Sequence, residues 1–197
     1  KILIYSHQPR YSDTDTLVMQ RLGDPATVTL QDNESKYLDL VWSLDQKSIA
    51  YAAYKNGNCN IELTSFETGL SELSVPLPIK SCNDFFHINI KFSGDSKLLY
   101  ILAIKELGGY IIERYELSTK RSTTLLDRSQ LKLYADHLNV IDDSNTLAYT
   151  ESQSVSGETQ VTMLPAKSLM PKVIAKMPTQ LKEFHWLANL NTFIVWQ

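Results

Sequence analysis

Residues 38–76 read LDLVWSLDQKSIAYAAYKNGNCNIELTSFETGLSELSVP. LDLVWS alternates apolar and polar positions, and LDQK is a polar turn. SIAYAAYK is apolar on both faces, NGNC turns on a glycine, and NIELTSF alternates again. ETGL turns the chain once more, and SELSVP supplies a fourth segment. Short strands joined by tight polar turns form an antiparallel meander.

The same plan recurs on both sides. INIKFS, KLLYILAIK, YIIERYEL and STTLLD follow in order, and LNVID, TLAYTES, TQVTML and PKVIAKM after them. EFHWLAN and TFIVWQ begin a further unit, while ILIYSH, TDTLVMQRL and ATVTL supply the later strands of an incomplete one at the start. Tyr5, Tyr51, Tyr100 and Tyr149 close the runs ILIY, SIAY, KLLY and TLAY, with Val195 in that place in TFIVW; the steps are 46, 49, 49 and 46 residues. A period in the forties filled with short strands is the signature of a β-propeller.

The expected fold is therefore all-β, a propeller of four-stranded antiparallel blades with about four repeats present, which either close with one strand spare or are part of a larger ring. The expected division is a partial blade over 1–37, blades over 38–80, 86–128 and 137–177, and a partial blade over 183–197. Stacked blades require a second strand buried on both faces, with Leu98, Tyr100 and Leu102 facing one way and Leu99, Ile101 and Ala103 the other. Trp42, Phe92 and Trp186 precede the recurring position by 8 or 9 residues and are expected to fill space between blades. A two-sheet sandwich is disfavoured by the long period. Short helical turns are conceivable only around Ser129–Asp136 and Thr179–Phe184.

The chain has 197 residues, 43% hydrophobic and 21% charged, in the range of soluble globular proteins. Its net charge of −3 argues against a general nucleic-acid surface. No apolar run approaches the roughly 20 residues that span a bilayer. The chain begins at Lys1 and is read as a piece of a longer protein, so any membrane attachment is expected to come from segments outside it. Cys59 and Cys82 could form one bridge inside the first full repeat or be two unrelated thiols.

The stretch Val41-Trp42-Ser43-Leu44-Asp45-Gln46-Lys47-Ser48-Ile49-Ala50-Tyr51 resembles the WD-like repeat of TolB-type propellers, whose turn usually reads W-S-P-D-G-K-x-I-A-F. The resemblance continues through Asn58-Cys59-Asn60-Ile61 and Phe66-Glu67-Thr68-Gly69. It returns as Phe92-Ser93-Gly94-Asp95-Ser96-Lys97-Leu98-Leu99-Tyr100 and, weakly, as Asp143-Ser144-Asn145-Thr146-Leu147-Ala148-Tyr149. Leu44 and Gly94 replace the family's proline, and Gln46 and Ser96 its glycine, as in a diverged member. The resemblance implies a ring of six or more blades. It extends to TolB, to the gating domain of prolyl oligopeptidases, and to the extracytoplasmic part of membrane-bound winged-helix regulators similar to CadC; fold does not choose among them.

Little is left over for chemistry. His87, His137 and His185 lie 13, 12 and 10 residues before the recurring position, where first strands approach a propeller's channel. Three imidazoles there could hold a metal or an anion, but no local ligand pair exists and ordinary rim or core histidines are the favoured reading. Asp39 and Asp136 could make that channel acidic and suit cationic partners or peptides; solvated loop carboxylates are the favoured alternative. Asp45 and Asp95 belong to the repeat turn, where such side chains cap tight backbone geometry. No G-x-S-x-G and no recognisable Ser, His and Asp set is present, so no catalytic residue and no cofactor is expected. The expected function is a non-catalytic module binding a protein or peptide; the resemblance, with the strong divergence of the repeats, implies the sensor of a membrane-bound bacterial regulator on the periplasmic side of the inner membrane. The alternatives are a peptidase gating propeller and a TolB-like periplasmic scaffold.

Overall fold

A computed structural model describes residues 2–7, 15–21, 23, 27–55, 58–65, 71–76, 85–105, 107–141, 145–153, 157–178, 183–187 and 192–196. The chain is all-β, with no helix among these residues. It divides into two compact units, Lys1–Asn83 and Asp84–Gln197.

The first unit holds β1 (Ile2–His7), β2 (Asp15–Arg21), β3 (Thr27–Trp42), β4 (Ser48–Lys55), β5 (Asn58–Ser65) and β6 (Ser71–Pro76). These pair antiparallel in chain order as one six-stranded sheet. The 16-residue β3 serves two partners. Its first part, from Thr27 to Ser35, pairs with β2, and Lys36–Trp42 pairs with β4. The expected boundary between the residues of the partial blade and the first full one thus falls inside a continuous strand. Ile49, Ala50, Tyr51 and Ala52 of β4 are all fully buried, because a strand packed on both faces offers no polar side.

The turn between β3 and β4 follows from its residues. The Ser43 N–H donates to the Ser48 carbonyl (2.9 Å) and the Gln46 N–H to the Ser43 carbonyl (3.0 Å). Asp45 Oδ1 accepts from the Ser43 hydroxyl (2.6 Å) and the Lys47 N–H (3.1 Å), while Ser43 Oγ accepts from the Ser48 N–H (3.0 Å). The Ser43 hydroxyl, and then the Lys47 amide, hold the Asp45 carboxyl below its ordinary value. Gln46 is left-handed, with φ 58°, a conformation that glycine adopts without penalty.

The second unit repeats this turn: Ser93 and Asp95 make the equivalent hydroxyl–carboxylate bond (2.7 Å), and Ser96 has φ 58°. Its strands are β7 (Phe85–Phe92), β8 (Leu98–Lys105), β9 (Tyr110–Glu116), β10 (Arg121–Asp127), β11 (Leu133–Val140), β12 (Leu147–Gln153), β13 (Thr159–Leu164), β14 (Lys172–Met177), β15 (Glu183–Leu187) and β16 (Thr192–Trp196). They form two four-stranded antiparallel sheets, β7–β10 and β11–β14, and the pair β15–β16. Gly108 and Gly109 (φ 90° and 94°) tighten the β8–β9 hairpin; a Cβ on Gly109 would lie 2.5 Å from the Ser129 carbonyl oxygen.

The core of this unit lies between its sheets. Tyr100, Leu102, Ile104, Tyr110 and Ile112 from β8 and β9 pack on Ala135, Leu138, Leu147, Tyr149 and Leu164. On its other face the β11–β14 sheet places Ile141, Ala148 and Val161 against Phe184, with the Phe184 and Phe193 rings stacked 4.6 Å apart. Leu99, Ile101 and Ala103 are buried on the opposite face of β8 from Tyr100 and Leu102. The helical turn entertained around Ser129–Asp136 is a correction: 129–132 is a turn and β11 already runs from Leu133. A bulge between Asp136 and Asn139, with His137 at φ 55°, breaks the two-residue alternation that would have marked this strand.

Candidate functional site

The bulge in β11 also shapes the most prominent partly exposed polar cluster among the described residues. It turns the His137 N–H onto Asp136 Oδ1 (2.7 Å). From the neighbouring sheet, β7 brings His87 Nε2 to 3.4 Å and Asn89 Nδ2 to 3.2 Å from the same oxygen. The His137 ring contributes Nδ1 at 3.9 Å from Asp136 Oδ2. Burial pushes the Asp136 carboxyl up, but the His87 contact, the His137 charge and the His137 amide outweigh it and hold it at about 2. The Asp136 side chain is 46% exposed and that of His87 41%, so the cluster faces solvent.

The grouping of Asp136, His137 and Thr150 invites comparison with a nucleophilic triad. In a triad the two imidazole nitrogens face different partners. Here the same His137 Nδ1 faces both Asp136 and Thr150 Oγ1 (3.2 Å), and the Thr150 hydroxyl donates to the Asp136 carbonyl (3.0 Å). Thr150 is also buried. This geometry holds a bulge together and does not activate an oxygen.

A second polar cluster is buried between the β7–β10 and β11–β14 sheets. Glu151 on β12, with a side chain only 2% exposed, accepts from Arg128 Nη1 (3.0 Å), Thr162 Oγ1 (2.8 Å) and the Tyr110 hydroxyl. The Tyr110 hydroxyl also lies 3.3 Å from that of Tyr149, and their rings meet edge to face at 5.8 Å. Burial, then the neighbouring Tyr149, push the Tyr110 phenol far up; burial does the same to Tyr149. Burial likewise raises Tyr100, to about 12. A buried carboxylate that accepts from three donors is satisfied, and its acceptor capacity is taken up within the packing.

The sequence-derived residues fall as follows. Tyr51, Tyr100 and Tyr149 are at most 1% exposed, Phe92 is buried and Trp42 is half-buried. Asp45 and Asp95 sit in the repeat turn. The side chains of Tyr5, Trp186 and Cys59 and the whole of Cys82 lie outside the described residues, and so does the Cys59–Cys82 pairing. Glu67-Thr68-Gly69 and Asp143-Ser144 lie outside them too. Of the three histidines, His87 and His137 meet at Asp136, while His185 is exposed on β15 opposite Ile194. Asp39, on β3, accepts the Leu40 N–H (2.8 Å), much as Asp136 accepts that of His137. Among the described residues no group of three His, Cys, Asp or Glu could hold a metal ion. Glu151, Arg128 and Tyr110 were not singled out from the sequence. Their one signal is a carboxylate two residues after the recurring tyrosine, on the same buried strand face.

No protein-family model and no curated protein matches the chain. Among solved structures it is similar to TolB from Acinetobacter baumannii, at a TM-score of 0.71 and 19% identity, over 98% of this chain and 46% of that one. It is equally similar to the Dos1 propeller, at 0.71 and 11%, over 98% of this chain and 48% of that one. A structure from a study of two prolyl endopeptidases matches at 0.63 and 14%, over 89% of this chain and 28% of that one. The chain thus spans less than half the length of each. These likenesses, together with the repeated four-stranded sheets, show that the chain has the fold of a β-propeller fragment.

Proposed function

We propose that this chain is a non-catalytic propeller module that binds a protein or peptide partner, as the extracytoplasmic sensor part of a membrane-bound bacterial transcriptional regulator. The observation that carries the binding role is the Asp136–His87–His137 cluster. It joins the first strands of two sheets and stays half-exposed, while the Glu151 network is sealed by packing. The triad-like grouping beside it lacks the geometry for nucleophilic attack, which supports a non-catalytic reading. The blade division at 38–80, 86–128 and 137–177, and the packing role of Trp42, Phe92 and Trp186, belong to this proposal. The ring would be completed outside the chain, and membrane attachment would come from there. The module would require no cofactor and would not touch nucleic acid itself.

The test is the full reading frame on both sides of this segment. An upstream winged helix with one membrane-spanning helix is the expected result. A downstream α/β-hydrolase domain would replace the sensor by a peptidase gate, a reading favoured by the similarity to the prolyl endopeptidase structure. A signal peptide with a small upstream α/β domain would replace it by a TolB-like scaffold, in line with the TolB similarity.

A further inference from the structure

We infer that His87 and Asp136 form a proton-responsive clamp between β7 and β11, tightened when the His87 imidazole is protonated at mildly acidic pH and slackened above neutrality. The inference does not depend on the sensor role proposed above.

The contact between these first strands has two parts. The Asn89 amide bond to Asp136 is independent of pH, because neither group titrates near neutrality. The His87 contact, at 3.4 Å, changes character with its proton: a neutral ring offers a weak dipole, and a charged ring makes an ion pair. His137 adds a second imidazole on the other carboxylate oxygen, 3.9 Å away. His137 belongs to β11 with Asp136, so of the two imidazoles only that of His87 joins the two strands.

The ionisable groups facing Asp136 are His87 from β7 and His137 from β11 itself. From β12 comes the uncharged Thr150 hydroxyl, bonded to the Asp136 carbonyl. β8 and β9 present Tyr100, Leu102, Ile104, Tyr110 and Ile112 to the apolar cluster, and Tyr110 is engaged by Glu151. β15 reaches the bulge through the Phe184 carbonyl, which accepts from Asn139.

Hydrogen exchange of the whole chain at about pH 5.5 and about pH 7.5, corrected for intrinsic rates, tests the clamp. Amides of β7 and β11 are expected to gain about two- to fivefold protection at the lower pH relative to those of β9 and β13. His87→Gln is expected to abolish most of that gain. Equal relative protection at both pH values, or an undiminished gain in His87→Gln, would overturn the clamp. Should His87→Gln not fold, the wild-type imidazole titration followed by NMR decides. A His87 midpoint coinciding with that of the protection change supports the clamp, and a separate midpoint overturns it.

Discussion

Asp136 and Glu151 stand almost side by side, since Asp136 pairs with Thr150 in the β11–β12 ladder and Glu151 is the next residue. Their surroundings divide them. Glu151 is sealed between two sheets, with a guanidinium and two hydroxyls on it. Asp136 is half in water, held by an amide and two imidazoles. Strand alternation sends one carboxylate to the interior and the other to the rim. The buried one can only fix how two sheets meet, whereas the exposed one can respond to its medium.

The widest separation between the two should come from removing one partner of each. Arg128→Met leaves the Glu151 charge buried with two neutral donors and is expected to cost about 2–4 kcal/mol in denaturant unfolding. Asp136→Asn should cost about 1 kcal/mol or less, because its site is open to solvent. Equal losses would erase the distinction. Tyr110→Phe removes one donor from Glu151 and keeps the ring packing, so a loss of about 1–1.5 kcal/mol is expected by the same measurement.

Acid unfolding separates the two carboxylates in another way. The Asp136 carboxyl sits below its ordinary value in the folded chain, at about 2 against 3.8. Its contribution is therefore complete above the unfolded value and disappears as pH falls from there through about 2. Solvent screening limits it to about 1 kcal/mol or less. Asp136→Asn should flatten that part of the stability profile, which chemical denaturation at a series of pH values would read. The smallest effect is expected at a site touching neither carboxylate. Ser96→Gly should relieve the left-handed backbone of the β7–β8 turn and raise stability by up to about 0.5–1 kcal/mol in thermal unfolding. A change at that turn that also altered the Asp136 acid limb would mean the two ends of β7 are coupled.

The fold was readable because blade packing writes itself into neighbouring residues. A strand such as Leu99-Tyr100-Ile101-Leu102-Ala103 has no reason to be apolar on both faces unless both are covered. Asp45 and Asp95 were readable as turn caps because their hydrogen bonds are local. The site was readable only in outline. His87, His137 and Asp136 stood out as residue types near first-strand starts, but their meeting depends on a bulge that no alternation pattern announces. The same bulge hid the beginning of β11. Glu151, Arg128 and Tyr110 come from three strands and connections, and each looks ordinary until packing joins them.

The length of β3 has a consequence of a different kind. One strand that pairs with β2 at one end and β4 at the other acts as a template for both halves of the six-stranded sheet. A slip of one residue on either side would turn every side chain of that half to the wrong face, and a continuous strand would carry the error onward. The irregularities at Asp15–Val18 against β3 and at Tyr37–Asp39 are where register is reset. Each half can thus correct its alignment without dragging the other, although no loop lies between them.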